Sequence, residues 1–146
     1  MDTRKPNIAG KKYEKYKDKH NESVIKEFNF YDRALKEDLI VEKRKHFIVV
    51  KNMFPYEIWD GFEVDDHLLV IPKKFTTTIS SFDNEYSNEY FQILADYEKK
   101  GYSFYARANQ NVRKTVAHQH THLITLNYNK PVKRLFNIAG KILWWL

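Results

Sequence analysis

Three histidines at alternate positions, His118, His120 and His122, constrain this chain more than any other feature in it. They sit among Thr115, Val116, Leu123, Ile124 and Thr125, β-branched or apolar residues that read as a strand. Successive side chains on a strand alternate between faces. The three imidazoles are therefore predicted on one face, their Cα atoms about 6.6–7 Å apart in turn, with Gln119 and Thr121 facing the other way. Such a row has three chemical uses. A neutral imidazole, with an ordinary pKa of about 6.5, can attack phosphorus as a nucleophile while its neighbours orient it and carry protons. Rings this close discourage one another from charging together, so one stays neutral to attack while another donates. Alternatively, neutral imidazoles hold a metal such as zinc. In the third reading the row is structural, and each buried ring then requires its own hydrogen-bond partners.

The 146 residues suffice for one domain with a substantial core, and an aromatic content of 16% supports that core. Cysteine is absent, which excludes disulfides, thiolate zinc sites and a cysteine nucleophile. A reducing, cytoplasmic setting is the expectation. The formal net charge of +6 points to anionic partners: nucleotides, nucleic acid or an acidic membrane surface. The basic, polar N-terminus lacks an apolar core segment, so no secretory signal is expected, and no apolar run is long enough to predict a spanning helix.

Three regions follow from the order of the chain. Residues 1–38 read as a basic extension, partly helical, with Lys11, Lys12, Lys15, Lys17 and Lys19 interleaved with Tyr13 and Tyr16. Residues 39–128 carry the folded domain. Strands are predicted at 39–42, 46–51, 67–71 and 102–108, with a long connection over 52–66 and the histidine strand last. Ser80 or Asp83 caps a helix over 84–99, in which Tyr90, Ile93, Leu94 and Tyr97 fall on one face, and Gly101 stops it. Residues 129–146 combine Lys130, Lys133, Arg134 and Lys141 with a helical stripe of Leu135, Ile138, Ile142 and Leu143 and end near Trp144-Trp145. This tail reads as an amphipathic helix that either docks on the domain or a second copy of it, or lies at a membrane surface.

The segment His118-Gln119-His120-Thr121-His122-Leu123-Ile124 resembles the signature of the histidine triad (HIT) superfamily, in which three histidines alternate with residues that are usually apolar. The resemblance extends to Asn52 followed by Phe54-Pro55-Tyr56, and to His67-Leu68-Leu69-Val70-Ile71-Pro72-Lys73-Lys74, covering roughly residues 40–126. It implies an α+β fold with a five-stranded antiparallel sheet and one main helix, often paired as a homodimer. It also implies nucleotide hydrolase or nucleotidyl transferase activity at an α-phosphate, on a purine nucleotide, dinucleoside polyphosphate or nucleoside phosphoramidate, with no cofactor and no metal in the chemical step. By that resemblance His120 is the nucleophile that forms a nucleotidyl-histidine intermediate. His118 and His122 contact the phosphate, His67 supports the site, and Thr115 hydrogen-bonds a phosphate oxygen. Asn52 falls at the ribose position, and Phe47 and Ile48 near the base.

Departures from the pattern are informative. Gln119 and Thr121 replace apolar residues, Phe75 stands where a histidine is frequent, and Arg107, Arg113 and Lys114 stand where uncharged residues are common. Lys114, Arg107 and Asn109 complete the expected substrate-binding set, and the added cations favour highly charged substrates. A second reading is a basic nucleotide- or RNA-binding protein that keeps the fold without the chemistry. Docking on the domain or on a second copy is the first expectation for the tail, and contact of 130–146 with the inner membrane surface the alternative.

Overall fold

In the computed structural model, residues 38–132, 134–138 and 141–145 are described. The N-terminal extension predicted for 1–38 lies outside these, apart from Asp38. Eight strands and one α-helix follow in order among the described residues: β1 (Ile40–Lys43), β2 (Phe47–Lys51), β3 (Ile58–Trp59), β4 (Phe62–Pro72), α1 (Asn84–Lys99), β5 (Ser103–Ala106), β6 (Thr121–Pro131), β7 (Arg134–Ile138) and β8 (Lys141–Trp145). The main sheet is antiparallel with spatial order β1-β2-β4-β6-β5, and the short β3 pairs with the start of β4. The expected α+β architecture of five strands and a main helix is therefore present.

Alternation along the strands sorts the core into two layers. Phe47, Val49, Leu68, Val70 and Leu123 face α1 and pack on Tyr90, Ile93, Leu94 and Tyr97. Burying each of these large side chains contributes roughly 1.5–3 kcal/mol. Ile48, Val50, Leu69 and Ile71 point to the opposite face, against Leu39 and Ile40. His67 and His122 share this second face, because each precedes a residue that faces the helix. Asp83 caps α1 by accepting from the Tyr86 N–H at 2.9 Å. At its other end, Tyr102 N–H donates to Tyr97 O and Gly101 N–H to Glu98 O, with Gly101 at φ +88°. This paired closure requires the left-handed conformation that glycine adopts freely.

Three expectations are corrected. The connection predicted over 52–66 is largely a β-hairpin: Ile58-Trp59 pairs with Phe62-Glu63 across Asp60-Gly61, both at positive φ (50° and 84°). An Asp-Gly pair between apolar residues favours this tight turn, whose twist matches that of the strands. The described residues of 129–146 form strands where an amphipathic helix was expected. β6 runs to Pro131, and β7 and β8 form an antiparallel ribbon with Ile138 opposite Lys141. Gly140 weakens a helix, and the aromatic and β-branched residues on either side favour strands, so the helical spacing did not prevail. Finally, the histidine strand begins only at Thr121. Among the described residues no helix is long and apolar enough to cross a membrane.

Candidate active site

The three histidines reach the site from a strand and from the loop before it. His122 lies on β6 opposite Leu69 on one side and Tyr105 on the other. His118 and His120 precede the strand, because their segment is tied to the 72–77 loop instead of to a neighbouring strand. Gln119 N–H donates to Thr76 O at 2.7 Å, and His118 Nε2–H donates to Pro72 O at 3.0 Å. Lys114 Nζ braces the same loops, donating to Thr77 O at 2.8 Å and Gln119 Oε1 at 3.0 Å. Gln119 is buried, so its polar side chain at a usually apolar position is explained by this brace.

Carbonyl oxygens only accept, and this fixes the tautomers. His120 Nδ1 lies 2.8 Å from His118 O and must carry the proton, which puts the lone pair of the neutral ring on Nε2. Tyr56 N–H donates to His67 Nδ1 at 2.9 Å, so the neutral His67 ring is protonated at Nε2. That Nε2–H then donates to His122 Nδ1 at 2.9 Å, leaving the His122 proton on its own Nε2. The His120 and His122 ring centres are 5.2 Å apart. Burial pushes His67 down to about 4. His120 is also pushed down to about 4, chiefly by burial, with the Lys114 and His118 charges adding to the effect and the His118 carbonyl opposing it. Both rings are neutral at physiological pH.

Beside His67 opens a cleft of about 730 Å³, lined by Asn52, Met53, Phe54, Tyr56 and the acidic stretch Asp65-Asp66 among others. Asn52 N–H donates to His67 O at 3.0 Å, and its Nδ2 lies 3.1 Å from His67 Nε2. Asp66 receives the His67 N–H at 2.9 Å and the Tyr102 hydroxyl. On the β5 side the Tyr56 ring stacks on His122 and on Trp59, both at 5.5 Å, and Trp59 lies 5.6 Å from Tyr105.

Of the predicted residues, the structure gathers His67, His120, His122 and Asn52, with His118 behind them and Lys114 bracing their loop. Arg107 approaches the same group, its Nη2 3.4 Å from the Tyr56 hydroxyl. Thr115 and Asn109 are exposed, Asn109 in the turn closed by Asn111 N–H to Ala108 O. Ile48 is fully buried on the histidine face. Phe47 corrects the expectation of a base contact: it is fully buried in the helix-side core, with Phe82, Tyr86 and Tyr90 within 5.4–5.8 Å. One residue of register decides this, since neighbours on a strand face opposite ways. Sequence reasoning missed Tyr56, Trp59 and Tyr105. The Asp60-Gly61 hairpin signal would have brought the first two back over the sheet. Among the described residues no three His, Asp or Glu side chains are gathered to hold a metal ion.

No family model and no curated protein matches the chain. Solved structures do. A HIT-like protein aligns over 68% of this chain and 100% of its own, with a TM-score of 0.53 at 16% identity. A HIT family hydrolase from Clostridium thermocellum aligns over 70% of this chain and 93% of its own, with a TM-score of 0.51 at 20% identity. A histidine triad protein from Clostridium difficile aligns over 70% and 91%, with a TM-score of 0.50 at 18% identity. The chain has the fold of the histidine triad proteins.

Proposed function

We propose that this chain is a histidine triad enzyme, a nucleotide hydrolase or nucleotidyl transferase acting at an α-phosphate through His120. The observation that carries the reading is the hydrogen bond from His120 Nδ1 to the His118 carbonyl, which directs the lone pair of an uncharged ring onto Nε2. In the first step a bond forms between Nε2 and phosphorus, and the bond from phosphorus to the leaving atom breaks, its electrons departing with the leaving group. Water then displaces the histidine, releasing a nucleoside monophosphate and a proton. The hydrogen-bonded pair of His67 and His122 supplies a fixed orientation beside the nucleophile, and the Asn52 cleft supplies room for the nucleoside.

The test is intact-mass spectrometry after mixing the full chain with dinucleoside polyphosphates, nucleoside phosphoramidates and adenylated or capped oligonucleotides. One added nucleotidyl group is expected on the unaltered protein and none on His120→Ala, which also loses turnover while still binding nucleotide. Turnover that persists in His120→Ala removes the mechanism.

A non-catalytic nucleotide or RNA binder is the second reading, favoured by the net charge of +6. It predicts binding without an adduct from any substrate in the panel. For assembly we propose a homodimer through the outer edge of β5, the end strand of the sheet, on which Phe104 is exposed. Sedimentation equilibrium of the full chain tests it.

A further inference from the structure

Arg107 follows the last β5–β6 pair, Ala106 opposite Thr121, by one residue, and His120 precedes that pair by one residue on the other side. Two residues before Arg107, Tyr105 pairs with His122. The guanidinium is half-buried and has few partners of its own. Nη2 makes a long 3.4 Å contact with the Tyr56 hydroxyl, and the Tyr105 ring lies 5.7 Å away. The Nε–H is buried and meets no acceptor among the described residues. A buried guanidinium N–H without an acceptor is costly, and such groups are retained where an anion completes them.

Strand order gives this position a direction. The Asn52 cleft is lined by the end of β2, the 52–58 segment and the first half of β4 including His67. The reactive histidines stand at the start of β6, and Arg107, whose Nη2 reaches the hydroxyl of the cleft residue Tyr56, follows β5, the next strand out. A substrate whose nucleoside fills the cleft and whose phosphorus meets His120 therefore extends its far side toward Arg107. Resting on the function proposed above, we infer that Arg107, packed against Tyr56 and Tyr105, is a specificity-determining residue that binds the β- or γ-phosphate of the leaving group. It selects substrates that leave as phosphate-bearing oxyanions over those that leave as amines. When the α–β anhydride breaks, the departing oxygen keeps the electron pair, and the guanidinium neutralises the charge that develops there.

The experiment is calorimetric titration of the full chain, with chelator present, using adenosine 5′-triphosphate and adenosine 5′-monophosphate. The unaltered protein is expected to prefer the triphosphate by about 10- to 100-fold, the range of one charge-assisted contact. Arg107→Gln is expected to bring the ratio of the two dissociation constants close to one. Equal affinities in the unaltered chain, binding of neither nucleotide, or a preference that survives Arg107→Gln overturns the inference. Thermal melts check that the variant folds. If it does not, Arg107→Lys replaces it and should lose at least about threefold of the preference, because an ammonium lacks the planar fork; full retention overturns the inference equally. The mass experiment separates the two proposals. An adduct on His120 alongside an unchanged ratio leaves the mechanism standing and removes this role for Arg107.

Discussion

His67 Nε2 lies 2.9 Å from His122 Nδ1, although 55 residues of chain separate them, and the Tyr56 backbone N–H on the far side of the ring sets the direction of that bond. A side chain that orients a reactive group without touching the reacting atoms typically changes its performance by 10- to 100-fold. His67→Asn should therefore lower kcat by about that factor, with a smaller change in KM. Single-turnover kinetics measure it, and an unaltered kcat would mean that the pair does not orient the site.

Acid should destabilise the protein well before its carboxylates protonate. His67 and His120 titrate near 4 in the folded state and near their ordinary value of about 6.5 when unfolded. The unfolded chain therefore binds more protons between these values, so stability is complete above about pH 6.5 and falls as pH is lowered toward 4. For His67, which is 3% exposed, the loss amounts to about 3 kcal/mol; the half-buried His120 adds less. Urea unfolding at pH 7 and pH 4.5 measures the difference, and His67→Leu should flatten it.

The brace under the histidine loop supports both stability and chemistry. Gln119→Leu leaves the Lys114 ammonium with one protein acceptor fewer and should destabilise by about 1–2 kcal/mol. It should also lower kcat, since the His118–His120 segment is held through Gln119 and Pro72. Gln119→Glu, which restores an acceptor for Lys114, should recover both. Urea midpoints and kcat for the two variants decide the matter.

Phe47 belongs to the core rather than to a ligand. Phe47→Ala should destabilise by about 3–5 kcal/mol through the cavity it leaves between the sheet and α1. The milder Phe47→Leu should leave the dissociation constant for nucleotide unchanged within twofold. A larger change in titration calorimetry would return Phe47 to the binding site.

Much of this architecture is legible in the sequence because it rests on local periodicity. The helical stripe of Tyr90, Ile93, Leu94 and Tyr97, bounded by Asp83 and Gly101, needs no distant partner to be read. The strand from His67 to Ile71 and the alternate histidines are equally local. Where two local signals competed, the reading failed. Leucine and isoleucine spaced as on a helix at 135–143 were set against Gly140 and Trp144-Trp145, and the strand preference prevailed.

What the sequence determined by itself is the presence of the histidines, the helix and the main strands, since these follow from the order of side chains along the chain. Tertiary structure alone decided that His118 donates to Pro72, that Gln119 is pinned by Lys114, that Tyr56 fixes the tautomer of His67, and that Phe47 faces away from the site. Hydrogen bonds between residues 5 to 46 positions apart depend on how strands and loops meet in space. No periodicity within a single segment encodes that meeting.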